Sequence, residues 1–69
     1  MYYFDQIGVR WNDALSFEVV GKRRGGSFRP ALRDYGFTRN EIARVIEALD
    51  CDREAMIYRG SHRIELRPL

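Results

Sequence analysis

Thr38 and Glu41 stand three residues apart, directly ahead of an apolar stripe formed by Ile42, Val45, Ile46 and Leu49. No other feature narrows the possible folds of this chain as much. The spacing is that of a capping box, in which the threonine hydroxyl and the glutamate carboxylate each take a backbone N–H left free by the first helical turn. Phe37 and Ile42 are placed to add a hydrophobic staple. The stripe falls at i, i+3, i+4 and i+7, so one helical face is apolar while Arg39, Asn40, Arg44 and Glu47 face water. An isolated helix this short is marginal, so its apolar face requires a second layer to pack on. Asp50, Cys51 and Asp52 end the pattern.

Two alternating segments can supply that layer. Near the N-terminus Ile7, Val9 and Trp11 alternate with polar positions, as do Leu15, Phe17 and Val19, with Asn12-Asp13 between them as a turn. A three-residue loop over 12–14 would pair Trp11 with Leu15, Val9 with Phe17 and Ile7 with Val19, gathering both rows on one face, and that register is expected. Tyr2 and Phe4 then fall on the other face, unless a bulge near Gly8 or Asp5 turns them inward. The last fifteen residues read as a hairpin about Gly60-Ser61, pairing Arg59 with His62, Ile57 with Ile64 and Ala55 with Leu66. Its other face would carry Met56, Tyr58, Arg63, Glu65 and Arg67. Between hairpin and main helix, Pro30 suits the start of a short helix that uses Ala31, Leu32 and Tyr35 before a left-handed cap at Gly36. The expected fold is therefore α+β: an N-terminal β-hairpin, a short helix, one main amphipathic helix and a C-terminal β-hairpin. The helix packs on one face of a small antiparallel sheet.

A chain of 69 residues has room for one domain, 1–69, and little room for an enclosed substrate pocket. Hydrophobic residues make up 45% and charged residues 32%, and no apolar run is long enough to span a bilayer. The opening Met1-Tyr2-Tyr3-Phe4-Asp5 lacks a charged-then-apolar leader, so a cytoplasmic location is expected, with no membrane partner. Cys51 and His62 are the only residues of their types, too few for an internal disulfide or a closed zinc site. Asp50, Asp52 and Glu54 alternate but lack the ligand count of a calcium loop. No metal and no cofactor is expected.

Charge is the chain's most uneven property. Residues 1–21 carry a net −2, 22–33 a net +5, 34–54 a net −3 and 55–69 a net +2. The basic block consists of Lys22, Arg23, Arg24, Arg29 and Arg33 without a single acid, on a glycine-rich connection that also holds Phe28. Cations on such a segment can follow a phosphate backbone, and an aromatic ring beside them can stack on a base. Eleven of the twelve basic residues are arginine, whose planar fork suits phosphate and carboxylate. The same potential attracts an acidic protein surface. Tyr2, Tyr3, Phe4 and Tyr58 are candidates for an exposed aromatic cluster of the kind found at protein interfaces.

Two short stretches resemble known families. Gly36-Phe37-Thr38 followed by Glu41-Ile42 resembles the start of a helix in MerR-type DNA-binding domains, but Arg39 and Arg44 are balanced there by Glu41 and Glu47. Arg59-Gly60-Ser61-His62, with an apolar helix upstream, resembles the Gly-Ser-His hairpin of HicA-type messenger-RNA interferase toxins. That resemblance implies RNA cleavage with His62 as the essential histidine. The family's Gly-Phe pair between helix and strand is missing here.

With cations and rings for gripping but one imidazole for chemistry, the first expectation is a non-catalytic, stoichiometric binding protein. Its contact residues are Lys22, Arg23, Arg24, Phe28, Arg29, Arg33, Arg63 and Arg67, and its partner is nucleic acid or a nucleic-acid-binding complex. In size and surface it is similar to the small inhibitors of phage and mobile elements, anti-CRISPR proteins among them. The alternatives are the His62 nuclease and a structural or oligomerisation module joined through a sheet edge; either a monomer or a weak homodimer is expected.

Overall fold

The computed structural model describes residues 4–22 and 28–69. Strands β1 (Gln6–Trp11) and β2 (Glu18–Lys22) are followed by helices α1 (Phe28–Tyr35) and α2 (Arg39–Asp50), then by β3 (Ala55–Arg59) and β4 (His62–Pro68). The strands form one antiparallel sheet in the order β2-β1-β4-β3, so the two hairpins join along β1 and β4 and leave β2 and β3 as edges. Both helices lie on the same face.

The main helix is built as its sequence dictates. Thr38 Oγ1 accepts from the Glu41 amide at 3.2 Å, and Glu41 Oε1 accepts from the Thr38 amide at 2.9 Å. Ile42, Val45, Ile46 and Leu49 are all buried against the sheet, each such side chain worth about 1.5–3 kcal/mol when withdrawn from water. The C-terminal hairpin has the expected register, Ala55 opposite Leu66, Ile57 opposite Ile64 and Arg59 opposite His62. Val9 and Trp11 face Leu66 and Ile64 across the central pair, which closes the core.

The N-terminal hairpin departs from expectation. Val9 pairs with Glu18 and Gly8 with Val19, one residue beyond the expected register, and this reverses the faces of Glu18 and Val19. Leu15 is fully exposed and Val19 half-exposed. The turn itself forms at Asn12-Asp13, both with positive φ (50° and 63°), and the Ala14 amide donates to the Trp11 carbonyl. The chain then stays irregular through 14–17, so this turn does not dictate where β2 begins to pair. Docking of α1 decides it. A Cβ on Gly21 would lie 3.2 Å from Phe28 Cδ1, tighter than ordinary contact, so an inward glycine lets the helix approach this closely without displacing the ring. A bulge between Ile7 and Gly8 carries the register onward so that Gly21 sits opposite Ile7. Phe4 is buried, its ring 5.0 Å from that of Phe28. Of the two alternatives for Phe4, an exposed face or a turn inward, it takes the second. The irregularity opposite Gly8 has its extra residue, Val20, in β2, and the chain bends at Asp5 between Phe4 and β1, while Tyr2 and Tyr3 lie outside the described residues.

α1 begins two residues ahead of Pro30 and spans eight residues. It stops where the Gly36 and Phe37 amides both donate to the Leu32 carbonyl, at 3.2 and 3.1 Å, with Gly36 at φ 119°. Trp11 Nε1 donates to Tyr35 Oη at 2.9 Å, and that hydroxyl faces Glu18 at 3.4 Å, so one hydrogen-bonded chain joins β1, α1 and β2.

Gly36→Ala forces a side chain into backbone space that L-residues rarely adopt, and should destabilise the fold by about 1–3 kcal/mol. Urea denaturation checks this, with an unchanged m-value distinguishing lost stability from an altered native state. Glu41 has its pKa lowered below the ordinary 4.5, first by the Thr38 amide and then by the charge of Arg59. Its contribution to stability is therefore complete above about pH 4.5 and is lost as pH falls through the depressed value. Glu41→Gln should flatten the acid side of a melting-temperature profile and leave its neutral-to-basic side parallel to the parent.

Candidate functional site

Cations sit on both sides of the sheet, in opposite circumstances. On the face away from the helices, β1 presents Arg10 and β4 presents Arg63, Glu65 and Arg67. Glu65 is the buried charged residue of this face, 7% exposed, and accepts from Arg10 Nη2 at 2.8 and 2.9 Å and from Nε at 3.2 Å. That pairing, chiefly the hydrogen bond, raises the Arg10 pKa above its ordinary value. Arg63 is ion-paired with Asp13, and its buried Nε lies 3.9 Å from Glu65. Arg67 reaches Glu54 at 3.7 Å. The Phe17 ring takes the guanidinium groups of Arg10 and Arg67 at 4.7 and 4.0 Å from its centroid. Three arginines are thus matched by Asp13, Glu54 and Glu65, and the ring among them is already occupied by the chain's own cations.

The helical side is different. Arg29 and Arg33 lie one turn apart on α1, hence on one face, and Arg39 opens α2 just past the Gly36 turn. The three line a cleft of about 180 Å³ with Ile42. Among the described residues none of the three has an ion pair or side-chain hydrogen bond. The nearby carboxylate of Glu41 is committed elsewhere, to the Thr38 amide and to Arg59 Nη2 at 2.8 Å. On its other flank α1 borders a second, wider depression of about 380 Å³ lined by Glu18, Val19, Val20, Ala31, Asp34 and Tyr35. The helix therefore divides a basic cleft from an acidic groove.

His62 is exposed at the start of β4. Asn12 Oδ1 accepts from the Arg63 amide at 2.9 Å, which orients the Asn12 amide so that Nδ2 meets His62 Nδ1, also at 2.9 Å. The imidazole stands edge-on to Trp11, 5.3 Å between centroids. These contacts make His62 part of a strap between the two hairpins, and the neighbour it faces is an amide rather than a carboxylate.

The expected contact residues do not form one surface. Arg29 and Arg33 lie on the helical side, Arg63 and Arg67 on the far side of the sheet. Phe28 is 2% exposed, with its ring packed on Phe4 and over Gly21, so it has no free face on which a base can stack. Lys22 ends β2; its side chain, and the whole of Arg23 and Arg24, lie outside the described residues. The expected aromatic cluster is also divided, with Phe4 in the core and Tyr58 71% exposed on the open sheet face. Arg39 was not expected in the site, because Glu41 and Glu47 offset Arg39 and Arg44 along that helix; the signal was its position across the Gly36 turn from Arg33. Among the described residues no group of three His, Cys, Asp or Glu side chains is placed to hold a metal ion, and no helix is long and apolar enough to cross a membrane. No protein-family model, curated protein or solved structure matches the chain.

Arg10→Met strands the Glu65 carboxylate in a nearly dry setting, whereas Arg10→Met with Glu65→Met replaces the pair by apolar volume. The single variant should therefore unfold at lower denaturant than the double variant, a difference that a double-mutant cycle in urea measures directly.

Proposed function

We propose that this chain is a non-catalytic protein that binds nucleic acid stoichiometrically, gripping phosphates with the arginines of its helical side. The observation that carries the reading is the contrast in pairing: Arg10, Arg63 and Arg67 are neutralised within the fold, while Arg29, Arg33 and Arg39 share a cleft and answer to no acid among the described residues. An arginine already held by a carboxylate must give up that partner to take a phosphate. An unpaired one releases only water and counterions. Arg29, Arg33 and Arg39 bring three cations to the helical side, and in sequence Lys22, Arg23 and Arg24 precede α1. The placement of His62 supports a binding role, since its ring nitrogen is engaged in joining two hairpins.

Binding of this kind weakens steeply with salt, with a log–log slope of about −0.7 to −0.9 per phosphate neutralised. Fluorescence anisotropy with labelled single-stranded and duplex oligonucleotides should show binding that falls as salt rises. Arg29→Ala, Arg33→Ala and Arg39→Ala combined should weaken it at least tenfold and flatten the salt slope, with melting temperature nearly unchanged. Arg67→Ala on the opposite face should bind within about twofold of the parent. Equal affinity of the triple variant and the parent overturns the proposal, as does capture of an acidic protein in the absence of any oligonucleotide binding.

A further inference from the structure

The three arginines line a single recess between α1 and α2, with an aliphatic floor. From this geometry we infer that the recess seats one phosphomonoester, the terminal phosphate of a nucleic-acid strand; the inference rests on the nucleic-acid reading above. The lining of Arg29, Arg33, Arg39 and Ile42 contains donors and apolar surface but no carboxylate, so it selects an anion over a cation or a neutral sugar. Guanidinium forks approach from two elements, Arg29 and Arg33 from α1 and Arg39 from α2. A phosphomonoester offers three terminal oxygens and close to two negative charges near neutral pH, whereas an internal diester offers two oxygens and one charge. The terminal group therefore makes fuller use of three forks.

The surroundings favour an end over a passing strand. The other flank of α1 carries Glu18 and Asp34. Along α2, Glu47 and Asp50 follow Arg39 at about 12 and 16 Å from it at 1.5 Å per residue. A backbone laid across the helical side would meet acids in both directions. The capping box takes the Thr38 and Glu41 amides, and the three arginine side chains are the charged donors of the recess.

The test compares 3′-labelled 12-nucleotide strands carrying a 5′-phosphate or a 5′-hydroxyl, and 5′-labelled strands carrying a 3′-phosphate or a 3′-hydroxyl, by anisotropy. A nucleoside 5′-monophosphate and inorganic phosphate serve as competitors and as ligands in an amide-shift NMR titration. A phosphate at one end or the other should tighten binding at least tenfold, and the two strand pairs identify which end. The preference should shrink as pH falls below about 6, where the monoester becomes a monoanion. Arg33→Lys, which keeps the charge and loses the fork, should abolish the preference while retaining much of the salt-dependent binding, and Arg44→Ala outside the recess should keep it. NMR shifts from the mononucleotide should centre on residues 29, 33, 39 and 42. Equal affinity for phosphorylated and unphosphorylated ends overturns the inference and leaves the nucleic-acid reading standing. Shifts spread evenly over Arg63 and Arg67 as well overturn it too. Saturable mononucleotide binding in the recess without binding of any strand supports the monoester site and sinks the nucleic-acid reading instead.

Discussion

One helical layer cannot cover two sides of a sheet. The two helices of this chain are spent on the face that carries Ile7, Val9, Ile57, Ile64 and Leu66, so the opposite face has to meet water while remaining structurally defined. It does so with a charge lattice instead of a second hydrophobic layer. Glu65, nearly dry in the middle of β4, is held by Arg10 from β1, and Phe17 from the connection before β2 is held between Arg10 and Arg67. Three segments distant in sequence are thereby locked together on the uncovered side. The pairing adds register specificity more than net stability, because desolvating a carboxylate offsets much of what its partner returns. A slip of one residue along β1 and β4 would bring Glu65 to the apolar layer and expose Ile64.

The difference between the two hairpins shows what local sequence can and cannot decide. At Gly60-Ser61 the loop is two residues long and the strands on either side pair without interruption, so turn geometry and the alternation of Ala55, Ile57, Ile64 and Leu66 point to one answer. At Asn12-Asp13 the turn forms as its residues suggest, but the chain leaves the ladder before pairing resumes at Glu18. Apolar alternation then misleads, because Leu15, Phe17 and Val19 look like a core row and are not one. Their placement is set by α1, whose Phe28 needs the backbone of Gly21 beneath it. That requirement comes from a helix later in the chain, and no window on the hairpin contains it. The capping box and the stripe of α2 were legible for the opposite reason: every group they involve lies within one stretch of twelve residues.

The candidate site was legible by halves. Counting charge along the chain finds the basic block and gives Arg29 and Arg33. It does not distinguish them from Arg63 and Arg67, since formal charge says nothing about whether an acid waits across the sheet. Arg63 and Arg67 are consumed by Asp13 and Glu54, partners distant in sequence. Phe28 fails as a stacking ring for a related reason: its position in a basic, glycine-rich segment suggests exposure, yet its ring is buried against Phe4 in the core. Arg39 was hidden by averaging, because Glu41, Glu47 and Asp50 outweigh the two arginines of α2 while its first residue sits beside α1.

Four of the nine described arginines find a carboxylate within the fold, and Arg29, Arg33, Arg39, Arg44 and Arg53 do not. Arg10, Arg59, Arg63 and Arg67 each have a carboxylate within 4 Å, the first across strands, the second between a strand and a helix, and the other two between β4 and the connections that hold Asp13 and Glu54. Acids are therefore at hand, and the fold brings them to cations even where the alignment is imperfect, as at Arg67. Asp34 sits one residue from Arg33 and belongs to the other flank of α1, while Glu41 sits two residues from Arg39 and is taken by Arg59. Each acid nearest the cleft in sequence is directed away from it by helical phase or by a competing partner. Three like charges left together oppose the compact state by mutual repulsion, and nothing in the packing of the core requires them there. Arg44 and Arg53 do not line the cleft, so what sets Arg29, Arg33 and Arg39 apart is that three unpaired cations converge in one concave place, which marks it as a place that something else completes.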